Sequence, residues 1–253
     1  MARPVALVTG VGREAGIAAG IVTRLALDGW DVAMTYWSPY DARMPWGVQP
    51  DDVDAIESAA RAGGARVFAI ETDLSDPTAP ALLFDSVIGA LGPVTALVLC
   101  HAESVDSGIL DSTIESFDRH FAVNVRANWL LIREFALRFA GVPNSGRIVA
   151  LTSDHTRFNL PYGASKGALD RIVIAAATEL AGRGISANLI NPGPIQTGWM
   201  TPDLVEELEA ATPAGRLGTP GDTAALVSFL LSPDGGWING QLLKSDGGLS
   251  AEY

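Results

Sequence analysis

The chain has 253 residues and a formal net charge of -12, from 17 Lys+Arg against 29 Asp+Glu, which denies electrostatic support to a large nucleic-acid or anionic-membrane surface. Hydrophobic residues make up 48% and charged ones 18%, the balance of a packed globular chain and not of a disordered or fibrous one. The single cysteine, Cys100, can form no internal disulfide; with no secretory apolar segment at the start and no apolar run approaching a spanning helix, the sequence reads as a cytoplasmic protein without a membrane partner.

In chain order, the first β-branched run, Val5 to Thr9, predicts a buried strand, and an amphipathic helix is expected over Ile17 to Leu27. Between them lies Gly10-Val11-Gly12-Arg13-Glu14-Ala15-Gly16-Ile17-Ala18. Glycines at such a turn let the backbone approach a pyrophosphate, whose charge meets the free amides and dipole of the helix N-terminus. Two registers of this cradle are open: Gly10, Gly12 and Ala15 fit G-x-G-x-x-A, while Gly10 with Gly16-Ile17 fits another. A tight turn without a ligand is the competing reading.

The second strand, Val32 to Tyr36, ends on Thr35, Tyr36 and Trp37, where an NAD site usually carries an Asp or Glu that accepts from the ribose 2′-hydroxyl. The nearest acid is Asp41, inside Ser38 to Pro50, a stretch whose Pro, Gly and Trp predict a loop over a site. Arg13 and Arg43 can reach a 2′-phosphate through paired, charge-assisted bonds, so the expected cofactor is NADP(H) in preference to NAD(H).

Strands at Arg66 to Glu71, Ala96 to Cys100, Arg147 to Thr152 and Ser186 to Asn191 then alternate with helical patterns over Asp54 to Ala62, Ala79 to Leu91, Ser116 to Ala140 and Gly163 to Gly182. Six strands without polar alternation, joined by helices, predict an α/β fold: one doubly wound Rossmann-type domain over residues 1–253, its parallel sheet covered on both faces. Pro194 to Pro220 is a second irregular stretch, expected as a substrate lid. The strand ending at Thr152-Ser153 is followed by Pro161-Tyr162-Gly163-Ala164-Ser165-Lys166, which opens the last long helix. Tyr162 and Lys166 share a helix face at i, i+4, where an ammonium favours the tyrosinate and tunes a proton donor. Ser153, at the carboxyl end of a parallel strand, is placed to hold a substrate oxygen. A helix-start tyrosine with an exposed lysine is the bland alternative.

Taken in order, the cradle, Asp73-Leu74, Asn124 in FAVNVRA, Ser153, Tyr162-x-x-x-Lys166, NPGPIQT from Asn191 to Thr197 and the terminal NGQLLKSDGG resemble the short-chain dehydrogenase/reductases over nearly the whole chain. The resemblance implies that Tyr162 is the general acid/base, Lys166 binds the nicotinamide ribose and tunes it, Ser153 polarises the carbonyl and Asn124 holds a water in a proton relay. It also implies that Asp73 and Leu74 flank the adenine, and that Ile195 and Thr197 secure the nicotinamide carboxamide. The sequence departs from the family in three places. Gly10 to Gly16 encloses five residues where the family usually has three, and Ala18 replaces its third glycine. Cys100-His101-Ala102-Glu103 stands where Asn-Asn-Ala-Gly is usual on the ribose side, leaving Ala102 as the matched contact. The interval from Ser153 to Tyr162 is nine positions, shorter than usual, which trims the substrate roof.

Gly163-Ala164-Ser165-Lys166-Gly167 also satisfies G-x-S-x-G, but Ser165 lies inside a helical pattern and no histidine follows His155, so a hydrolase elbow is excluded. His101, His120 and His155 are isolated and no Cys pair exists, so no metal site is expected. The remaining rival is a non-catalytic NADP-binding regulatory protein on the same fold. The two longest helical patterns are apolar around much of their circumference, through Trp129, Leu130, Phe135, Ile172, Val173 and Ile174, which predicts a homo-oligomer; the resemblance implies a dimer or tetramer. The expected partner is a small-molecule carbonyl or alcohol, and Trp199 and Met200 in the lid favour a bulky ketone.

Overall fold

Alternate residues of a strand face opposite sides of its sheet, and in the first strand both sides are apolar. In Val5–Thr9 (β1), Leu7 packs into one core while Ala6 and Val8 pack into the other. The same division holds in Val94–Leu99 (β4), with Leu97 and Leu99 on one side and Ala96 and Val98 on the other. The structure, a computed structural model, describes residues 3–198 and 200–251.

With Asp31–Tyr36 (β2), Val67–Glu71 (β3), Gly146–Leu151 (β5), Ile185–Asn191 (β6) and Leu242–Lys244 (β7), these strands form one seven-stranded sheet, ordered β3-β2-β1-β4-β5-β6-β7. Every pairing is parallel. The expected sheet is thus present, with one strand more than the six read from the sequence. β7 has three residues and is only partly buried, so it carries no apolar run to announce it.

Ile17–Leu27 (α1), Asp52–Ala62 (α3) and Pro220–Leu231 (α9) cover one face, through residues such as Ile21, Leu25, Ile56 and Val227. Ala79–Leu91 (α4), Ala127–Arg138 (α6) and Leu160–Glu179 (α7) cover the other, through Phe84, Leu131, Phe135 and Val173. Two helices lie in stretches expected to be irregular: Ser38–Arg43 (α2) and Pro202–Ala211 (α8). Both have proline in the first turn, where its missing N–H has no intrahelical partner to lose, and Thr201 caps α8 by accepting from Leu204 N. The expected continuous helix over 116–140 is instead Ile114–Phe121 (α5), a π-turn over Ala122–Arg126, and α6. Thr113 starts α5 early by accepting from Ser116 N, and Asn124 sits inside the π-turn. No helix of the described residues is long and apolar enough to cross a membrane.

The sheet reverses its direction of winding between β1 and β4. The crevice outside the carboxyl ends of these strands is the place where open α/β sheets take ligands.

Candidate active site

A cavity of about 280 Å³ occupies that crevice, lined by Gly10, Arg13, Gly16 and Ile17 of the cradle. Trp37, Asp73 and Leu74 line it at one side and Ala102, Leu151 and Thr197 at the other. Nine of the expected cofactor contacts therefore share one space. The exception on the lid is Ile195, which is buried in a parallel bridge with Gly218. Gly10 has φ +79, and a Cβ there would lie 2.7 Å from both the Cα and the N of His101, so only glycine lets the first turn lie against the end of β4. α1 begins with no side-chain cap and no acid in its first turn, leaving its positive end to whatever the cavity holds. The hydroxyls of Thr35 and Thr72, on the cavity wall, are buried without a protein partner. An uncapped helix start, a glycine turn and unpartnered hydroxyls are what a dinucleotide would need.

The segment after β2 folds back over this space. Tyr40, Asp41 and Trp46 line the cavity, residues of the stretch expected over a site but not singled out there as contacts. Asp41, expected in a loop, is buried: its Oδ1 accepts from Trp46 Nε1 at 2.9 Å, and its Oδ2 lies 2.7 Å from where a Gly12 Cβ would be. Burial raises its pKa, opposed by Trp46 and Arg13. The two arginines expected at a 2′-phosphate are both engaged elsewhere. Arg13 stacks 4.5 Å from the Trp46 ring centroid and donates to the Thr197 carbonyl at 2.7 Å, joining the segment after β2 to the lid. Arg43 makes a bidentate pair with Glu103, at 3.0 and 2.9 Å.

Glu103, 3% exposed, also accepts from Arg119 Nε at 3.1 Å. Its peptide is clamped by Asn124, whose Oδ1 accepts from Glu103 N at 2.7 Å and whose Nδ2 donates to Glu103 O at 2.8 Å. The second amide hydrogen of Asn124 goes to Ser165 Oγ at 2.9 Å, and Ser165 donates to the Tyr162 carbonyl at 2.7 Å. Both amide hydrogens therefore have protein partners, and Asn124 ties the end of β4 to the first turn of α7. Ser165, fully buried inside α7, is no nucleophile. His101 is a tie of the same kind. Burial, then Lys166, depress its pKa to about 3, so the ring is neutral; Nε2 donates to Val123 O at 3.1 Å and Nδ1 accepts from Thr9 Oγ1 at 2.7 Å. Among the described residues no group of three or more His, Cys, Asp or Glu is arranged to hold a metal ion.

The expected catalytic residues Asn124, Ser153, Tyr162 and Lys166 do not themselves line this cavity; Leu151, which does, is bonded to Lys166. Lys166, 2% exposed, donates from Nζ to the Leu151 carbonyl at 2.8 Å and stands 5.5 Å from the Tyr162 ring centroid. Burial lowers its pKa to about 8, against the pull of Cys100 and Asp170. Burial pushes the Tyr162 phenol up to about 12, with the Ser153 side chain acting to lower it. Lys166 Nζ stands over the ring and donates to the Leu151 carbonyl, and the Ser153 hydroxyl is the phenol's side-chain partner. Ser153 Oγ also accepts from His155 N at 3.1 Å. Met200 precedes α8, whereas Trp199 lies outside the described residues.

Comparison with known proteins agrees with this geometry. The family described as Enoyl-(Acyl carrier protein) reductase matches residues 10–250. An uncharacterized oxidoreductase of Bacillus subtilis, YjdA, is 34% identical over 249 residues, covering 96% of each chain. An NADPH-dependent aldehyde reductase-like protein of Arabidopsis thaliana is 34% identical over 259 residues, covering 98% of this chain and 94% of its own. The crystal structure of a short chain dehydrogenase from Burkholderia cenocepacia in complex with NADP superimposes with a TM-score of 0.85 at 33% identity, over 99% of this chain and 98% of that one. With its Rossmann-type sheet, its glycine cradle and these relatives, the chain belongs to the short-chain dehydrogenase/reductases and is an oxidoreductase.

Proposed function

We propose that the protein is an NADP(H)-dependent reductase that interconverts a carbonyl compound and its alcohol, with Tyr162 as general acid and base. The observation that carries this reading is that Lys166 Nζ bonds the carbonyl of Leu151, a residue of the cavity wall, while Tyr162, one helical turn before Lys166, has the Ser153 side chain as its hydrogen-bond partner. Bound nicotinamide supplies or accepts the hydride. The Ser153 hydroxyl holds the substrate oxygen, and Tyr162 gives its phenolic proton to that oxygen in reduction and takes it back in oxidation. Lys166, a buried ammonium, holds the nicotinamide ribose beside them. The test is carbonyl-dependent loss of NADPH across a panel of ketones and aldehydes. NADPH binding without turnover of any of them would support the regulatory reading instead.

The state of Tyr162 sets the pH dependence. With a pKa of about 12 the phenol is protonated through the neutral range, so reduction has its acid at every pH below that value, whereas oxidation needs the phenolate. Oxidation kcat/KM is expected to climb with pH up to about 8, where Lys166 begins to lose its charge, while reduction stays level near neutrality. A fall of the oxidation rate with rising pH below that point would contradict this assignment.

The names of the Arabidopsis relative and of the Burkholderia complex support NADP(H) for this chain, as does the absence of an acid from Thr35 to Trp37. A second reading, NAD(H), is favoured by Asp41, whose carboxylate lies against Gly12 on the side of the cradle where an acid would accept from a ribose hydroxyl. Asp41→Asn decides between them in parallel titrations: a shift of preference toward NADPH assigns Asp41 to the ribose. Arg13→Ala is expected to weaken NADPH and NADH by similar factors, since Arg13 spans the cleft to Thr197; a loss confined to NADPH would place it on the 2′-phosphate.

The same reading takes the protein as a cytoplasmic homo-oligomer, dimer or tetramer, joined through the groove between α6 and α7 that Trp129, Ile132 and Ile172 line. Trp129, half exposed at the edge of this groove, makes Trp129→Glu the variant expected to dissociate the assembly, read by light scattering. The substrate proposed is a bulky apolar ketone. Exposed Ile109, Leu110 and Phe158 support it: they belong to the loops after β4 and β5, which are joined by the Leu160 N to Ser107 O bond.

A further inference from the structure

The departure at Glu103 and the helical segment after β2 meet in one arrangement. β1 lies between β2 and β4 in the sheet, so a segment that leaves β2 and bonds to the end of β4 must cross the carboxyl end of β1, from which the cradle emerges. Residues 38–46 do this. Arg43 makes its bidentate pair with Glu103, and Tyr40 Oη donates to the Ser104 carbonyl at 3.3 Å. The inner side of the segment is cavity wall, through Tyr40, Asp41 and Trp46, and Trp46 carries the Arg13 guanidinium whose far end reaches Thr197.

Glu103 is built to hold this crossing. Its carboxylate is almost fully buried and binds two arginines from separate elements, Arg43 of α2 and Arg119 of α5, while Asn124 fixes its peptide on both sides. A glycine at this position could make none of the side-chain contacts. A pair with one buried member costs most when one partner is removed and the other is left uncompensated, and here that cost falls on the closed position of residues 38–46.

Resting on the dinucleotide reading given above, we propose that Glu103 and Arg43 form a latch that holds residues 38–46 across the cofactor cavity, so that opening of this ion pair limits the release of the bound dinucleotide. Glu103 and Arg43 are positioning residues here: they act on the cofactor through the wall they secure. The latch distinguishes this chain by its glutamate, and it makes retention of the cofactor a property of the 38–46 segment as well as of the glycine cradle.

The experiment is stopped-flow displacement of NADPH from the wild-type protein, Glu103→Gln, Arg43→Ala and the double variant, with thermal unfolding of each as a check on the fold. Glu103→Gln keeps the size of the side chain and the peptide that Asn124 clamps, so the folded state is retained. Each single variant is expected to release NADPH at least about tenfold faster than wild type, and the double variant to be little faster than the quicker single one, as coupled partners require. Folded variants that release NADPH at the wild-type rate, or effects that simply multiply in the double variant, would overturn the latch alone. A wild-type protein that binds neither NADPH nor NADH would remove the dinucleotide reading, and the latch with it.

Discussion

Tyr162→Phe is expected to leave NADPH binding intact and to cut carbonyl turnover by about 10²–10⁴-fold, the range that a positioned proton donor contributes. The substitution removes one oxygen and keeps the ring, so the packing of the first turn of α7 and the position of Lys166 over the ring are retained. No neighbouring group replaces the lost proton. Ser153 is a hydroxyl with no base of its own, His155 Nε2 is turned to the Arg157 carbonyl, and Lys166 is turned to the Leu151 carbonyl. Tyr36 and Tyr40, the phenols of the cavity wall, are both pushed to a higher pKa by burial, and Tyr40 donates to the Ser104 carbonyl. A loss in kcat and kcat/KM by the same factor, with the NADPH dissociation constant unchanged, is the signature of a group acting in the transition state. An unimpaired Tyr162→Phe rate would take Tyr162 out of the mechanism.

Gly10→Ala is expected to do most damage among single changes to the cradle. The added methyl would stand 2.7 Å from two backbone atoms of His101, which cannot rotate away, and the residue would be held at φ +79. The positive φ costs roughly 1–3 kcal/mol for a residue with a side chain. Separating packed backbones costs roughly 1–3 kcal/mol more. The strands must part where Thr9 Oγ1 bonds His101 Nδ1 at 2.7 Å and accepts from Cys100 N at 3.1 Å, so the ties between β1 and β4 break with the cradle. A drop of several degrees in the unfolding midpoint and loss of dinucleotide affinity are the expected results, checked by thermal unfolding and NADPH titration. Wild-type values for both would show that the turn yields at no cost.

Most of the fold was legible because its signals are local. β1 and α1 have the bounds that their apolar patterns predict, and buried β-branched runs mark six strands within a residue or two. What escaped depends on single contacts or on distant partners. β7 is a strand because β6 offers it an edge, through pairs such as Ile190 with Leu243. α2 and α8 are helices where proline and glycine argued for loops, since proline in a first turn obstructs nothing.

The site was legible in membership more than in role. Gly10, Arg13, Trp37, Asp73 and Thr197 do line one cavity, yet Arg13 and Arg43 are turned to partners far along the chain, Thr197 and Glu103, that no local pattern announces. His101 lines the cavity too, but its ring nitrogens are tied to Thr9 and Val123. Tyr40 and Trp46 lie in the stretch whose Pro, Gly and Trp predict a loop over a site, and that composition is the signal that pointed to them.

The most direct test of the account is a pair of titrations, NADPH and NADH, followed by intrinsic tryptophan fluorescence, since Trp37 and Trp46 both line the cavity. A saturable change with both dinucleotides, tighter with NADPH, is the expected result. A protein whose fluorescence responds to neither would contradict it, because the cradle, the uncapped start of α1 and the aromatic wall would then enclose no dinucleotide at all.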